Sequence, residues 1–336
     1  MVKIITAIAL ALLLCPAAVY CQTGGEKPMN KPQGKVPVIF ATFAETEEGI
    51  DHAYFLAESI RQFAGSMKDA PIRLYLADYN NLDYDATVDR FKPLGVEVTS
   101  SSAPEEAFWL YYTGKVYGAG LAEKQAEGQT DVLVWMDDDT IIFKEPTDLR
   151  LAPDISFGYR PIMHNKSGSL YDEPPDEFWG RIYKVLKIKD EDLFPMMTVV
   201  DDQKIRAYFN AGLLVVRPGR GILRKWSKDY AALYRDPVIA EMCRASVNHK
   251  IFLHQTALTG AVLNSIKQDQ MIELSDKYNY PLFFEQMYGA DKAYNSIDDI
   301  ITMRYEAYFR KPDPEWESKL SGPPEKVAWI KERLGK

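Results

Sequence analysis

The sequence is poor in cysteine, and it lacks both a basic stripe and internal repeats. Of its 3 cysteines, only Cys243 lies clearly in the body of the chain, so no intramolecular disulfide is expected there and stability must come from a hydrophobic core. The formal net charge is −8. Nucleic acid is therefore disfavoured as the main partner, because binding to a phosphate backbone needs a basic face.

Only one apolar run is long, and it lies at the N-terminus, from Ile4 to Leu14, followed by Pro16 and small residues. This order is typical of a secretory signal peptide, and the run is short for a membrane span, which needs about 20 apolar residues. We predict that residues 1–21 are a signal peptide and that the protein is exported, to the periplasm, to the medium or into a secretory lumen. The alternative is a membrane anchor formed by residues 4–20 when the peptide is not cleaved.

The rest of the chain divides into a linker and one domain. Residues 22–35 are polar and rich in Gly and Pro, which indicates a flexible linker. Beyond it, strand-like apolar segments alternate with amphipathic helical segments. This alternation predicts a single α/β domain over residues 36–336, with a central, mostly parallel sheet flanked by helices on both faces. Within it we expect a long helix over residues 104–128, an irregular insert over residues 161–207 and a helix that His254 opens.

The stretch "VLVWMDDDTIIF" places Asp137, Asp138 and Asp139 between two segments that predict buried strands. Asp137 and Asp139 share a side if the chain stays extended, because side chains alternate along a strand. Their mutual repulsion is relieved by a Mg²⁺ or Mn²⁺ ion, which takes oxygen ligands and binds substrate phosphates. Ligands also bind at the carboxyl ends of strands in parallel sheets. The spacing predicts metal-assisted chemistry on a diphosphate, and a turn with solvated aspartates is the alternative.

Three segments in this order resemble motifs of the GT-A-fold glycosyltransferases. "VLVWMDDDTIIFKEPTDL" resembles the Asp-x-Asp segment of that fold, "YFNAGLLVVRP" resembles the FN(A/S)G strand of its family 8, glycogenin-like branch, and "ELSDKYNYPLFF" resembles the LP..YN segment of that branch. The resemblance covers most of residues 36–315. It implies a GT-A, nucleotide-diphospho-sugar transferase fold and metal-dependent transfer of a sugar from a nucleotide-diphospho-sugar, in the first place a UDP-sugar, to a carbohydrate or other hydroxyl acceptor.

The resemblance also implies roles for individual residues. Asp137 and Asp139 would bind Mn²⁺ or Mg²⁺ as catalytic residues, and the metal would stabilise the leaving nucleoside diphosphate as a Lewis acid. Gln255 would be a further catalytic residue in contact with the sugar. The implied donor-binding residues are Thr42 and Phe43 near the base, Lys115 near the phosphates, Asn210, Ala211 and Gly212 along the sugar, and Asp138 and His254 as further contacts.

Two positions depart from the pattern of this branch. His254 stands where the branch has the Asp of a "DQ" pair. Its late metal-binding His has no counterpart, since Arg304, Tyr305 and Glu306 stand where it should fall. We therefore expect that metal binding is weaker, uses Glu306 or is lost.

Other interpretations stay open. Lys115 is compatible with a solvated helix position, Asn210 with a turn residue, and His254 with a structural cap or a core histidine. A second hypothesis for the whole chain is an exported GT-A-like domain that binds a glycan or a protein without catalysis, because activated nucleotide sugars are made inside cells. A phosphatase of the haloacid dehalogenase type is disfavoured, because too much α/β sequence precedes the aspartates. No nucleophile can be named, so retention and inversion of the sugar configuration both remain open.

Overall fold

Strands and helices alternate regularly only in the first part of the chain. The computed structural model describes residues 34–282, 294, 296–305, 318 and 320–334. The strands are β1 (Val36–Ala44), β2 (Ile72–Ala77), β3 (Val96–Ser101), β4 (Thr130–Met136), β5 (Thr140–Ile142), β6 (Phe157–Tyr159), β7 (Pro195–Met197), β8 (Lys204–Arg206), β9 (Leu213–Val216), β10 (Met271–Glu273), β11 (Tyr280–Pro281) and β12 (Thr302–Arg304). The helices are α1 (Glu47–Phe63), α2 (Tyr84–Phe91), α3 (Thr113–Ala126), α4 (Glu177–Leu186), α5 (Ile222–Arg235), α6 (Pro237–Ala245), α7 (Val247–Leu263) and α8 (Pro324–Leu334).

A seven-stranded sheet in the order β10-β6-β9-β4-β1-β2-β3 forms the centre of the molecule. Its strands pair in parallel except β9, which runs antiparallel to both β4 and β6. Alternate residues of β4 enter two hydrophobic clusters. Leu133 and Trp135 belong to one cluster with residues of α3 and α5, and Val132 and Val134 belong to another with residues of α1. Helices thus cover both faces, which confirms the α/β class and agrees with the expected GT-A architecture.

Side-chain caps decide where several helices begin. Thr46 accepts a hydrogen bond from the backbone N–H of Gly49 at the start of α1, and Ser246 accepts one from the N–H of His249 at the start of α7. Such a cap satisfies an otherwise unbonded N–H and contributes about 1 kcal/mol. Because Ser246 sets the start of α7, His254 lies well inside this helix, and the prediction that His254 opens it was wrong.

The helix predicted over residues 104–128 is shorter than expected, since α3 begins at Thr113. Tyr112, the residue before it, has a φ of 63° in the left-handed region, which a right-handed helix cannot contain. The apolar spacing that suggested a longer helix includes Phe108, which is 39% exposed. The chain therefore turns at Tyr112 and presents that ring at the start of α3.

The region predicted as an irregular insert over residues 161–207 contains regular structure, which corrects that expectation. It holds α4 and the antiparallel pair of β7 and β8. In α4, Phe178, Ile182 and Leu186 recur with a spacing of four residues and are buried, so one face of the helix packs on the core. The acidic stretch before α4 supplies Asp176, whose carboxylate caps the helix.

A second sheet, in the order β11-β12-β5, connects the late part of the chain to the three aspartates. β5 follows Asp139 directly, and β12 runs antiparallel to it with Arg304 opposite Thr140. In the part of the chain that the structure describes, no helix has the length and apolar character needed to cross a membrane. Residues 1–33 lie outside that part, so the signal peptide and the domain boundaries stay predictions.

Candidate active site

Two cavities open at the carboxyl end of β4. The larger, here called the large cleft, has a volume of about 750 Å³, and the other, the small cleft, has about 320 Å³. Cavities of this size are typical of small-molecule sites. Among the described residues, both clefts are lined by Tyr112, Lys115, Asp137 and Arg304, which together form the shared wall.

Backbone hydrogen bonds hold the aspartates between neighbouring strands. The N–H of Asp137 donates to the carbonyl of Gly212 at 2.9 Å, just before β9 begins. The N–H of Tyr305, just after β12, donates to the carbonyl of Asp139 at 3.2 Å. The same short segment is thus fixed from both sides, so its carboxylates are held in place by the sheet.

The carboxylates of Asp137 and Asp139 are both paired with cations. Lys115 Nζ contacts Asp137 Oδ1, and Arg304 Nη2 lies 3.1 Å from Asp137 Oδ2. Arg304 also donates to both oxygens of Asp139, from Nε at 3.0 Å and from Nη2 at 2.9 Å. A bidentate pair of this kind is strong and fixes the orientation of the guanidinium. The two carboxylate side chains are 10% and 2% exposed, so water screens these charges little.

The pKa shifts follow from this arrangement. Burial raises the pKa of Asp137, but the charges of Lys115 and Arg304 outweigh burial and hold the pKa below its usual value. Burial, reinforced by the charges of Asp139 and Asp137, places the pKa of Asp138 well above its usual value. Burial lowers the pKa of Arg304, but Asp139 and Asp137 raise it beyond the ordinary value. Asp138 therefore takes up a proton more readily than Asp137 does.

The described residues do not offer an open ligand set to a divalent cation. Asp137 and Asp139 have the oxygens that Mn²⁺ and Mg²⁺ prefer, yet both are paired with Lys115 or Arg304. Elsewhere in the described ranges, no cluster of at least three His, Cys, Asp or Glu side chains is arranged to hold a metal. A divalent ion about 4 Å from the guanidinium would be repelled by about 8 kcal/mol at an effective dielectric constant of 20. Glu306, the alternative ligand, lies outside the described residues. The expectation of a metal therefore rests on the spacing of the aspartates in the sequence and on the resemblance.

The small cleft is lined by side-chain amides. Asn210 Oδ1 accepts from the N–H of Gly212 at 2.8 Å and from Nδ2 of Asn279 at 3.1 Å. This arrangement leaves Nδ2 of Asn210 available to donate into the cleft. Gln255 Oε1 accepts from the N–H of Ala211 at 3.1 Å, which fixes that side chain too.

Gly212 sits where these groups converge. A Cβ built on it would lie 2.9 Å from Arg304 Nη1 and 3.0 Å from the Oδ1 atoms of both Asn210 and Asn279. The contact of 2.9 Å would force Arg304 to shift, and the two contacts of 3.0 Å would require Asn210 and Asn279 to move by a few tenths of an ångström. Glycine is required here because the backbone approaches the guanidinium closely.

His254 is a neutral member of the small cleft. Its Nδ1 lies 2.8 Å from the carbonyl oxygen of Ile251, and its ring centroid is 4.5 Å from that of Tyr112. Burial, together with the charge of Lys115, lowers the pKa of His254 to about 3. The imidazole therefore stays uncharged at neutral pH. With Nδ1 protonated toward Ile251, Nε2 is an acceptor suited to a hydroxyl group.

Most residues singled out in the sequence lie at the clefts. Phe43, Lys115, Asp137, Asp138 and Asp139 line the large cleft, whereas Asn210, Gly212, His254 and Gln255 line the small one, together with Lys115 and Asp137. Thr42 and Ala211 line neither cleft. Thr42 is 2% exposed and lies on the face of β1 opposite to Phe43, because strand side chains alternate. Ala211 acts through its backbone N–H alone.

Several residues of the site were not among those singled out, and three of them matter most for the geometry. Tyr112 lines both clefts, Asn279 orients Asn210, and Arg304 holds the two carboxylates. Asn279 lies in the segment "ELSDKYNYPLFF", which resembles a motif of the branch, so the motif could have indicated Asn279 as a site residue. In the sequence, Arg304 was noted only because it stands in the region where a metal-binding histidine was expected.

A sequence model of the family described as "Rhodobacterales glycosyltransferase domain" matches residues 43–265. No curated protein is significantly similar in sequence. Among solved structures, the galactosyltransferase LgtC in complex with donor and acceptor sugar analogues has 13% identity and a TM-score of 0.45, covering 88% of this chain and 100% of that one. The glycosyltransferase GlyE of Streptococcus pneumoniae has 13% identity and a TM-score of 0.45, covering 90% and 61%. Mouse xyloside xylosyltransferase 1 has 12% identity and a TM-score of 0.44, covering 82% and 99%.

Proposed function

Because this chain belongs to the Rhodobacterales glycosyltransferase domain family, it is a glycosyltransferase, and we propose that it transfers the sugar of a UDP-sugar to a hydroxyl group of a carbohydrate acceptor. The observation that carries the proposal is the meeting of two clefts at a wall that contains Lys115 and Arg304. Such a donor consists of a nucleoside, a diphosphate and a sugar in series. The large cleft, the shared wall and the small cleft offer a site to each part in the same order.

The large cleft suits a nucleoside. Tyr79 and Phe108 lie on its wall with their ring centroids 4.4 Å apart, and aromatic faces of this kind stack on bases. Asp138 lines the same cleft with 29% of its side chain exposed. Its oxygens can accept hydrogen bonds from ribose hydroxyls.

The shared wall and the small cleft suit the diphosphate and the sugar. Lys115 and Arg304 supply positive charge where the two clefts meet, and guanidinium groups bind phosphate oxygens with matching geometry. Asn210, His254 and Gln255 line the neighbouring cleft with amide and imidazole groups. Such groups distinguish the hydroxyls of one sugar from those of another.

The proposed reaction is a single exchange of bonds at the anomeric carbon of the donor sugar. The bond from that carbon to the β-phosphate oxygen breaks, and its electron pair leaves with UDP. An acceptor hydroxyl oxygen forms the new bond to the same carbon, and its proton passes to solvent. Positive charge at the shared wall stabilises the negative charge that develops on the departing diphosphate.

A thermal-shift panel of UDP-, GDP- and ADP-sugars tests this proposal. A ligand at 100 times its Kd stabilises the folded protein by about 2.7 kcal/mol, so a true donor raises the Tm by several degrees. The shift should disappear in Lys115→Gln and persist in Lys225→Gln, since Lys225 pairs with Asp229 on α5, away from the residues that line the clefts. No shift with any nucleotide sugar, beside a clear shift with a glycan, would favour the non-catalytic binding hypothesis instead.

Export remains part of the proposal. Sequencing the N-terminus of the mature protein should give Gln22 as the first residue. An intact N-terminus in the membrane fraction would favour the anchor formed by residues 4–20.

A further inference from the structure

Arg304 is placed by the backbone as well as by its ion pairs. It is the last residue of β12 and pairs with Thr140, the first residue of β5. Its carbonyl accepts from the N–H of Leu282 at 2.7 Å. The next residue, Tyr305, donates its N–H to the carbonyl of Asp139 at 3.2 Å. The guanidinium therefore meets the aspartates because two strands are in register, and not through a flexible surface contact.

The guanidinium lies where a cation shared by Asp137 and Asp139 would have to lie. It bonds both oxygens of Asp139, and Nη2 also approaches Asp137 Oδ2 at 3.1 Å. On the other side, Nη1 faces Gly212, which has no side chain to keep it away from the small cleft. The side chain retains 25% exposure and lines both clefts, so the positive charge reaches the space that the proposed diphosphate occupies.

The combined charge of Lys115 and Arg304 also equals that of one divalent cation. Lys115 and Arg304 carry together two positive charges on the carboxylates of Asp137 and Asp139. One divalent ion on the same two carboxylates would carry the same formal charge. An ion added beside Lys115 and Arg304 would instead be repelled by both cations, at carboxylates that are largely shielded from water.

We propose that Arg304, together with Lys115, replaces a divalent cation in this glycosyltransferase and stabilises the leaving diphosphate directly, so that donor binding and sugar transfer need no metal. This inference rests on the proposed function, since it assigns the diphosphate to the shared wall. It makes Arg304 a catalytic residue and gives Asp137 and Asp139 the role of orienting that guanidinium.

Calorimetry on the full-length protein distinguishes donor binding without a metal from donor binding that requires one. Mn²⁺ is titrated alone and in the presence of UDP, and UDP is titrated in EDTA and in Mn²⁺. We expect no saturable Mn²⁺ site and the same UDP affinity, within about twofold, in both buffers. A Mn²⁺ site that disappears in Asp139→Asn, or UDP binding that requires Mn²⁺, overturns the inference while leaving the proposed transfer intact. Failure of UDP to bind in any buffer instead contradicts the proposed donor, and the titration of Mn²⁺ alone still decides whether the carboxylates hold a metal.

A conservative substitution tests the guanidinium itself. Arg304→Lys keeps one positive charge beside the carboxylates but loses the planar fork, so UDP affinity should fall about 10- to 100-fold, and Mn²⁺ should not restore it. Arg220→Lys, a matched change at a residue that lines neither cleft, should leave the affinity unchanged. A Tm measurement verifies that both variants fold. Unchanged UDP affinity in folded Arg304→Lys would rule out contact between Arg304 and the diphosphate.

Discussion

The large cleft and the small cleft share one wall but differ in the chemistry of their other residues. Beyond that wall, the described lining of the large cleft includes the carboxylates of Glu45, Glu48, Asp138 and Asp139 and several aromatic rings. The described lining of the small cleft has amides, hydroxyls and imidazoles and, beyond Asp137, no carboxylate. The large cleft therefore suits a flat base and a ribose diol, whereas the small cleft suits the varied hydroxyls of a sugar.

This difference between the clefts indicates that different parts of the donor are recognised by different residues. The proposed function places recognition of the nucleotide and recognition of the sugar on opposite sides of Lys115 and Arg304, so that one could change without the other. The charged wall between them is common to both. Substitutions in the shared wall should weaken binding of the whole donor. Substitutions in one cleft should weaken binding of either the nucleotide or the sugar.

The largest effect is expected from removing Asp139, the carboxylate that holds Arg304 of the shared wall in place. Asp139→Ala removes the bidentate partner of Arg304, whose side chain is three-quarters buried. The free energy of unfolding should fall by about 3 kcal/mol, the lower end for a broken buried pair, because Asp137 still contacts the guanidinium. Urea unfolding measures this change. The control is Asp131→Ala, which removes an exposed pair with Lys35 and should cost less than about 1 kcal/mol. Equal effects of the two substitutions would show that the buried cluster contributes no special stability.

A smaller and more selective effect is expected from narrowing the small cleft. Gly212→Ala places a methyl group 2.9 Å from Arg304 Nη1, and overpacking of this kind costs about 1–3 kcal/mol. The new methyl group also lies 3.0 Å from the Oδ1 atoms of Asn210 and Asn279, on the side proposed for the sugar. The KM for the nucleotide sugar should therefore rise more than the inhibition constant of free UDP, which reports the displacement of Arg304 alone. Gly180→Ala, in α4 with open space around the new methyl group, should leave both constants unchanged. An equal loss for UDP and for the intact donor would contradict the division between the clefts.

The effect that is smallest near neutral pH concerns the burial of His254, and it grows as pH falls. Its pKa falls from 6.5 to about 3 on folding, through burial and the charge of Lys115, with Arg304 adding to the decrease and Asp137 opposing it. Between these values the unfolded chain binds a proton that the folded chain does not. The free energy of unfolding should therefore decrease as pH falls below 6.5, by up to about 1.4 kcal/mol per pH unit from this group. Urea unfolding at several pH values should show a shallower decrease in His254→Gln, and parallel curves would mean that His254 is not buried in the neutral form.

The part of the site carried by β1 and β4 was predictable because its signals are local. The run "VLVWM" is apolar throughout, as a strand buried on both faces requires, and the aspartates must then lie at its carboxyl end. Asn210 and Gly212 were found by their motif, and the antiparallel pairing of β4 with β9 places them beside Asp137.

The remaining residues depend on contacts that no local pattern encodes. Arg304 is separated from Asp139 by 165 positions, and the two meet only through the register of β12 with β5. Tyr112 has a left-handed backbone although it is neither Gly nor Asn, so the periodicity on both sides of it suggested one continuous helix. The absence of the expected histidine was readable from the sequence, but not the pairing of the Arg304 guanidinium with both aspartates.

A crystal of the protein soaked with UDP and MnCl₂, with data collected at the manganese absorption edge, tests the central claim most directly. We expect electron density for the diphosphate against Lys115 and Arg304, the bidentate pair of Arg304 with Asp139 intact, and no anomalous peak at the aspartates. An anomalous peak between Asp137 and Asp139, with Arg304 displaced, would contradict the claim that a guanidinium takes the place of the metal.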